Sequence, residues 1–295
     1  MTDQPLVSES PVVIIGAARS GTRFLRDAIA QSASLVPVSH DVSFVWRAGN
    51  HRVGHDELTV DRATPKTAAT IRRRMDAFAP TGPDQHIVEK TVGNALRIPF
   101  VQKVYPNARF LVITRNGEDV IQSSYKQWHG ATEWGRWRSK ATMFRPGDLP
   151  YLGLVGLGQA RGRLGPLLGR PTPPPTWGIR YNGIDTDVAT RGVAWVAAQQ
   201  WLRSLEGAAA AVRSGVPAVV TRYETLCGNA DELERICSEL SIPDPAPCIE
   251  FVDVASRFPV TGPWSSFLTE SDRAELQPLL RRGSQLQEEL QKSSA

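Results

Sequence analysis

Short apolar runs, each closed by a polar or glycine residue and followed by helical periodicity, set the rhythm of this chain. Residues 11–16 (PVVIIG) are continuous, β-branched and glycine-terminated, as a strand buried on both faces reads. Helical spacing follows at 22–31. A second strand at 86–89 (HIVE) leads to a helix at about 94–105, and the clearest strand, 109–114 (RFLVIT), leads to another at 118–128. Helical periodicity returns over 188–214, and 217–221 (PAVVT) is a fourth strand. Helices at 231–240 and 270–291 complete the pattern, the last with Thr269 and Asp272 placed as a capping box. Such alternation predicts an α/β fold, a parallel sheet flanked by helices on both faces. The pattern fails between 130 and 187, where seven glycines fall from Gly147 to Gly169 and PTPPP occupies 171–175. This Gly/Pro-rich stretch reads as an insert, a functional lid or mobile excursion, in one domain spanning 11–295 behind a disordered 1–10.

Charge narrows the picture. The 295 residues carry 34 basic and 30 acidic side chains, a net charge of +4, and the basic set is 28 Arg to 6 Lys. Arginine suits forked recognition of phosphate, sulfate or carboxylate. The one basic run, Arg72-Arg73-Arg74, reads as a solvated helix face, so nucleic acid is not the expected partner. Cys227, Cys237 and Cys248 have neither disulfide-framework nor zinc-site spacing, which fits a reduced protein. The opening MTDQPLVSES lacks signal-peptide character, and the longest nearly apolar run, 149–158, falls short of the ~20 residues of a membrane span. A cytoplasmic protein without a membrane span is expected.

The loop GAARSGT, 16–22, joins the first strand to the first helix. Its glycines let backbone N–H groups approach a phosphate, and the helix points its positive end at the same place. Gly16-x4-Gly21 is P-loop spacing, yet a nucleoside triphosphatase would place Lys at 22 and Ser or Thr at 23. Thr22 and Arg23 stand there, which argues against triphosphate hydrolysis, while Arg19 offers a cation elsewhere in the loop. A second pair follows the 109–114 strand: Arg115 at its end and Ser123 two helical turns into the next helix, able to clamp one phosphate between them.

GAARSGTRFL, VEKT at 88–91 and NARFLVITRNGEDVIQSSY at 107–125 together resemble the sulfotransferase superfamily, whose donor is 3′-phosphoadenosine 5′-phosphosulfate. The resemblance, over about 11–127 and 189–268, implies that Ala18, Arg19, Ser20, Gly21, Thr22 and Arg23 hold the 5′-phosphosulfate and that Arg115 and Ser123 hold the 3′-phosphate. RFPVTGPWSSFLT at 257–269 looks like the family's nucleotide-covering loop, making Arg257 a further 3′-phosphate ligand and Gly262 and Trp264 part of the cover. TRYETL at 221–226 resembles a recurrent segment that places Tyr223 near the adenine. The chain departs from the cytosolic small-molecule type, which has Lys-Thr-His where Lys90-Thr91-Val92 stands here, and so lacks that base. Glycan and tyrosyl-protein types instead carry a Glu about twenty residues after the loop. Asp41-Val42-Ser43-Phe44 is similar to the string of the glycan 3-O-sulfating enzymes, whereas the tyrosyl-protein register falls on His40. The chain therefore reads as closer to the glycan and tyrosyl-protein types.

Sulfuryl transfer needs positioning and charge stabilisation more than covalent chemistry. Lys90 and Arg19 are the candidates to stabilise the leaving group, Asp41 is the first choice of base and His40 the second, and no metal is required. Trp46, Arg47, Asn50 and His51 in the following segment form a candidate acceptor surface, with Trp134, Trp137 and Trp177 and Arg136 and Arg138 of the insert as another. A glycan or small-molecule hydroxyl, carbohydrate or glycosylated metabolite, is the expected acceptor. Two other classes stand beside this reading: a P-loop nucleotide kinase or phosphotransferase, and a noncatalytic nucleotide-binding module.

Overall fold

The computed structural model describes residues 10–129, 148–149, 153, 176–255 and 268–293. Among them β1 (Val12–Ile15), β2 (Leu35–Pro37), β3 (His86–Glu89), β4 (Arg109–Thr114) and β5 (Ala218–Arg222) form one parallel sheet in the order β2-β3-β1-β4-β5. Helix α1 (Thr22–Ile29) follows β1, and α2 (Ser43–Trp46) and α3 (Pro65–Phe78) lie between β2 and β3. Next come α4 (Ile98–Val104) before β4, α5 (Gly117–His129) after it, and α6 (Ile184–Thr190) and α7 (Gly192–Arg213) ahead of β5. Beyond β5 lie α8 (Tyr223–Leu226), α9 (Ala230–Glu239), α10 (Ala246–Ala255) and α11 (Glu270–Ser293).

Alternation along the strands sorts the core into two layers. Val13, Ile15, Ile87, Phe110 and Val112 pack with α3, α4 and α7; Val12, Ile14, Val88, Leu111 and Ile113 pack with α1, α9 and α10. The α/β fold expected from the sequence is the one found. Thr269 and Asp272 make the expected box: the Asp272 N–H donates to Thr269 Oγ1 at 3.1 Å, and the Thr269 N–H to Asp272 Oδ2 at 2.8 Å. Among the described residues no helix is long and apolar enough to cross a membrane.

Several details differ from expectation. β2 is an additional strand, so β5 is the fifth rather than the fourth. The 188–214 helix begins earlier and is two helices, parted where Gly192 takes φ +80°. The 94–105 helix is a 3₁₀ stretch, Val92–Leu96, followed by α4, with the break at Arg97, whose φ of −149° lies outside the helical range. The Arg72–Arg74 run is not a solvated face, because Arg74 is buried, forks onto Asp148 with two 2.7 Å bonds and lies over the Phe44 ring. Most of the 130–187 insert falls outside the described residues.

Candidate active site

β2 and β3 lie on one side of β1, and β4 and β5 on the other. The chain thus changes direction at the carboxyl end of β1, where open parallel sheets form a crevice. The 16–22 loop emerges there. Gly21 has φ +93°, and a Cβ on it would stand 2.3 Å from the Tyr223 ring, so both the backbone and the close packing call for glycine. Gly21 also precedes α1 without a side-chain cap, leaving the first N–H groups of that helix for water or a ligand. Ser20 is buried, and its Oγ donates to the Ala17 carbonyl at 2.7 Å, stapling the loop; Thr22 is buried in the first turn of α1 and Ala18 is half-buried.

The two arginine–hydroxyl motifs meet. Arg19 Nε donates to Ser123 Oγ at 2.8 Å, and Arg115 Nη1 donates to the Arg19 carbonyl at 3.3 Å. The Arg115 guanidinium lies 4.2 Å from the centroid of the Tyr223 ring and 3.6 Å from Asp119. Burial, aided by a hydrogen bond with Cys227, pushes the Tyr223 hydroxyl up to about 12 and keeps it protonated at neutral pH. Two guanidiniums, two hydroxyls and the open helix end thus share one corner, a setting for an anion. Supporting groups come from afar: the Arg115 carbonyl accepts the Trp201 Nε1–H at 3.2 Å and the Gln287 Nε2–H at 3.0 Å. Neither Trp201 nor Gln287 stands out in sequence. Arg23 does not join the cluster: its side chain is 79% exposed and pairs along the outside of α1 with Asp27.

On the other flank, Glu89 of β3 is level with Val13 of β1, so Lys90 leaves the sheet one strand away from the loop; it is half-buried. Asp41 Oδ1 accepts from Ser43 N at 3.2 Å and Ser43 Oγ at 2.7 Å, and Oδ2 accepts from Val92 N at 3.2 Å. It is Asp41, then, that steadies the loop and faces the residues just beyond Lys90, while His40 is half-buried.

The acceptor surface read from the sequence needs correction. Trp46 is 0% exposed and packs edge-on against Tyr105, so its ring cannot serve as an open platform. Arg47 is buried 3.6 Å from Asp56, which also takes Arg97 at 3.3 Å; both guanidiniums belong to a buried ion cluster. An apolar pair at 45–46 already points inward, and the charge that follows is drawn in by Asp56. Asn50 lines a polar cavity of about 620 Å³ with Asp61, Arg62, Thr64, Lys66 and Thr70. This cavity shares no residue with the Arg19–Ser123 corner. Trp177 is half-buried against the Trp128–Tyr181 cluster. Trp134, Trp137, Arg136, Arg138, Arg257, Gly262 and Trp264 lie outside the described residues. Among the described residues no three His, Cys, Asp or Glu side chains group as metal ligands.

An α/β sheet thus carries an arginine–hydroxyl corner at its carboxyl edge. Residues 11–145 match the model of a sulfotransferase family, the family that the motifs resemble. Comparison with curated proteins finds no match. Similar solved structures include a sulfotransferase from Alicyclobacillus acidocaldarius, 12% identical over 95% of this chain and 94% of that one, with a TM-score of 0.49. The sulfotransferase domain from the curacin biosynthetic pathway is 15% identical over 94% of this chain and 97% of its own, with a TM-score of 0.44.

Proposed function

We propose that this chain transfers a sulfuryl group from 3′-phosphoadenosine 5′-phosphosulfate to a hydroxyl of a carbohydrate or glycosylated metabolite, without a metal. The observation that carries the reading is the junction of Arg19, Ser123 and Arg115 at the uncapped start of α1. The residues fit such a donor: the 16–22 loop and Arg19 for the phosphosulfate, Arg115 and Ser123 for the 3′-phosphate, and Tyr223 beside them for the base. The donor supplies the sulfuryl group. Lys90 and Arg19 stabilise the charge that gathers on the departing phosphate. Asp41 takes the acceptor's proton: the acceptor O–H bond breaks, its electron pair forms the new O–S bond, and the S–O bond to phosphate breaks. Asn50, nine residues beyond Asp41, lines the polar cavity, which suits a polyhydroxylated acceptor and the glycan-type kinship of Asp41-Val42-Ser43-Phe44.

Calorimetric titration with 3′-phosphoadenosine 5′-phosphate and with ADP tests the donor. Arg115→Ala and Ser123→Ala should each weaken the 3′-phosphorylated nucleotide about ten- to a hundredfold, the worth of a charge-assisted contact, and ADP far less. Equal losses for both nucleotides, or a magnesium-dependent preference for ATP, would overturn the reading.

A further inference from the structure

Glu89 ends β3, an interior strand, where side chains are covered on both faces of the sheet. It is 1% exposed. Its Oε2 accepts the Asn94 Nδ2–H at 2.8 Å, and its Oε1 completes no hydrogen bond of good geometry among the described residues. Asn94 in turn accepts the Arg97 Nε–H at 2.9 Å, and Arg97 Nη1 reaches Asp56 at 3.3 Å. The carboxyl is therefore the head of a buried chain of polar groups that ends at Asp56.

The same carboxyl is joined to the acceptor side. Asn94, which holds it, also donates its N–H to the Thr91 carbonyl at 2.9 Å, and Thr91 Oγ1 accepts the Val42 N–H at 3.1 Å. One residue back, Asp41 holds the Val92 N–H. Glu89 thus underlies the turn on which the Asp41 loop rests, and Lys90 follows it in the chain. Burial pushes the Glu89 carboxyl up to about 7, and the Asp41 charge adds to the rise; the Thr91 hydroxyl, the Trp46 indole N–H and the Lys90 ammonium oppose it. Tyr105, the other titratable group beside it, is itself driven upward, chiefly by burial, and stays neutral. Repulsion between two carboxylates acts on both, so an ionised Glu89 makes Asp41 readier to take a proton.

Resting on the sulfotransferase reading, we propose that Glu89 is a positioning residue for Asp41: it supports the Asp41 loop through Thr91 and Asn94, and its charge strengthens Asp41 as acceptor of the substrate proton. The role is indirect, because the carboxyl is sealed from any acceptor.

Carboxyl-labelled glutamate in the full chain allows Glu89 to be followed by carbon-13 NMR, its signal identified by its loss in Glu89→Gln. Its titration should centre near pH 7 and move to lower pH in Asp41→Asn. Turnover of the wild type should then show a step upward through the same pH, about three- to tenfold, as the base strengthens. Glu89→Gln should lose that step while binding 3′-phosphoadenosine 5′-phosphate within about twofold of the wild type. A Glu89 midpoint that ignores Asp41→Asn overturns the coupling, whether or not the Gln variant folds. A pH profile unchanged by Glu89→Gln, or a loss of nucleotide affinity that matches the loss of turnover, overturns the positioning role. A midpoint that moves in Asp41→Asn, together with a wild type unable to transfer sulfuryl groups, overturns the sulfotransferase reading and upholds the carboxyl pair.

Discussion

Replacing Glu89 by Gln removes a carboxyl that stays protonated in the folded chain over a pH range where the unfolded chain has already ionised. The group moves from its ordinary 4.5 to about 7 on folding. A raised carboxyl binds more protons folded than unfolded, so its contribution is most favourable below pH 4.5 and is lost as pH rises through 7. Two and a half units at ~1.4 kcal/mol each give a loss of about 3 kcal/mol across that window, a sizeable share of a typical domain's stability. Glutamine keeps the shape and an acceptor for Asn94 but has no proton to lose. Urea unfolding of both proteins at pH 4, 5, 6, 7 and 8 isolates the effect, because groups other than those coupled to Glu89 titrate alike in each. The stability of Glu89→Gln relative to the wild type should rise by ~1.4 kcal/mol per unit within the window and level off on either side. A difference independent of pH, or one falling as pH rises, would refute a buried, raised carboxyl.

Gly21→Ala places a side chain at φ +93° with its Cβ against the Tyr223 ring; it should destabilise the chain by about 1–3 kcal/mol. Nucleotide binding should weaken as the ring is displaced, and a thermal melt and affinity equal to the wild type's would contradict this account of the loop. Lys90→Ala should reduce single-turnover transfer far more than nucleotide affinity, since its help grows with charge on the leaving oxygen. Weak binding with normal turnover would make Lys90 a ligand only.

The sequence makes β1, β3 and β4 legible because short β-branched runs closed by a turn leave little choice of element, and three parallel strands with intervening helices leave little choice of fold. β2 stays hidden: three residues ending in proline look like loop, and they pair with β3 only because proline is tolerated on an edge strand. The corner formed by Arg19, Arg115 and Ser123 is legible because each residue sits at a fixed spacing from a strand end. Trp46 and Arg47 are misread for the opposite reason, since residue type alone does not say whether an aromatic beside an arginine faces solvent or core. Asp56, nine residues on from Arg47, is what draws the charge inside. Glu89 carries a signal that composition obscures: a carboxylate ending an apolar strand inside a doubly covered sheet has nowhere to go but inward.

The Arg115 carbonyl, held between Trp201 and Gln287, ties the arginine–hydroxyl corner to the order in which the chain is made. Arg19 and Ser123 stand 104 positions apart, and Arg115 and Gln287 stand 172 apart. Ribosomes add roughly 5–20 residues per second, so Gln287 follows Arg115 by roughly 9–34 s. Through that interval the first strands can pair, but the peptide that aims Arg115 has only part of its anchorage. Contacts of such long range also slow folding, because chain entropy is surrendered before they form. The corner is thus a late product of synthesis: it reaches its working shape only after α11 has docked on α7, and a nascent chain paused before Gln287 would present a site without one of its two braces.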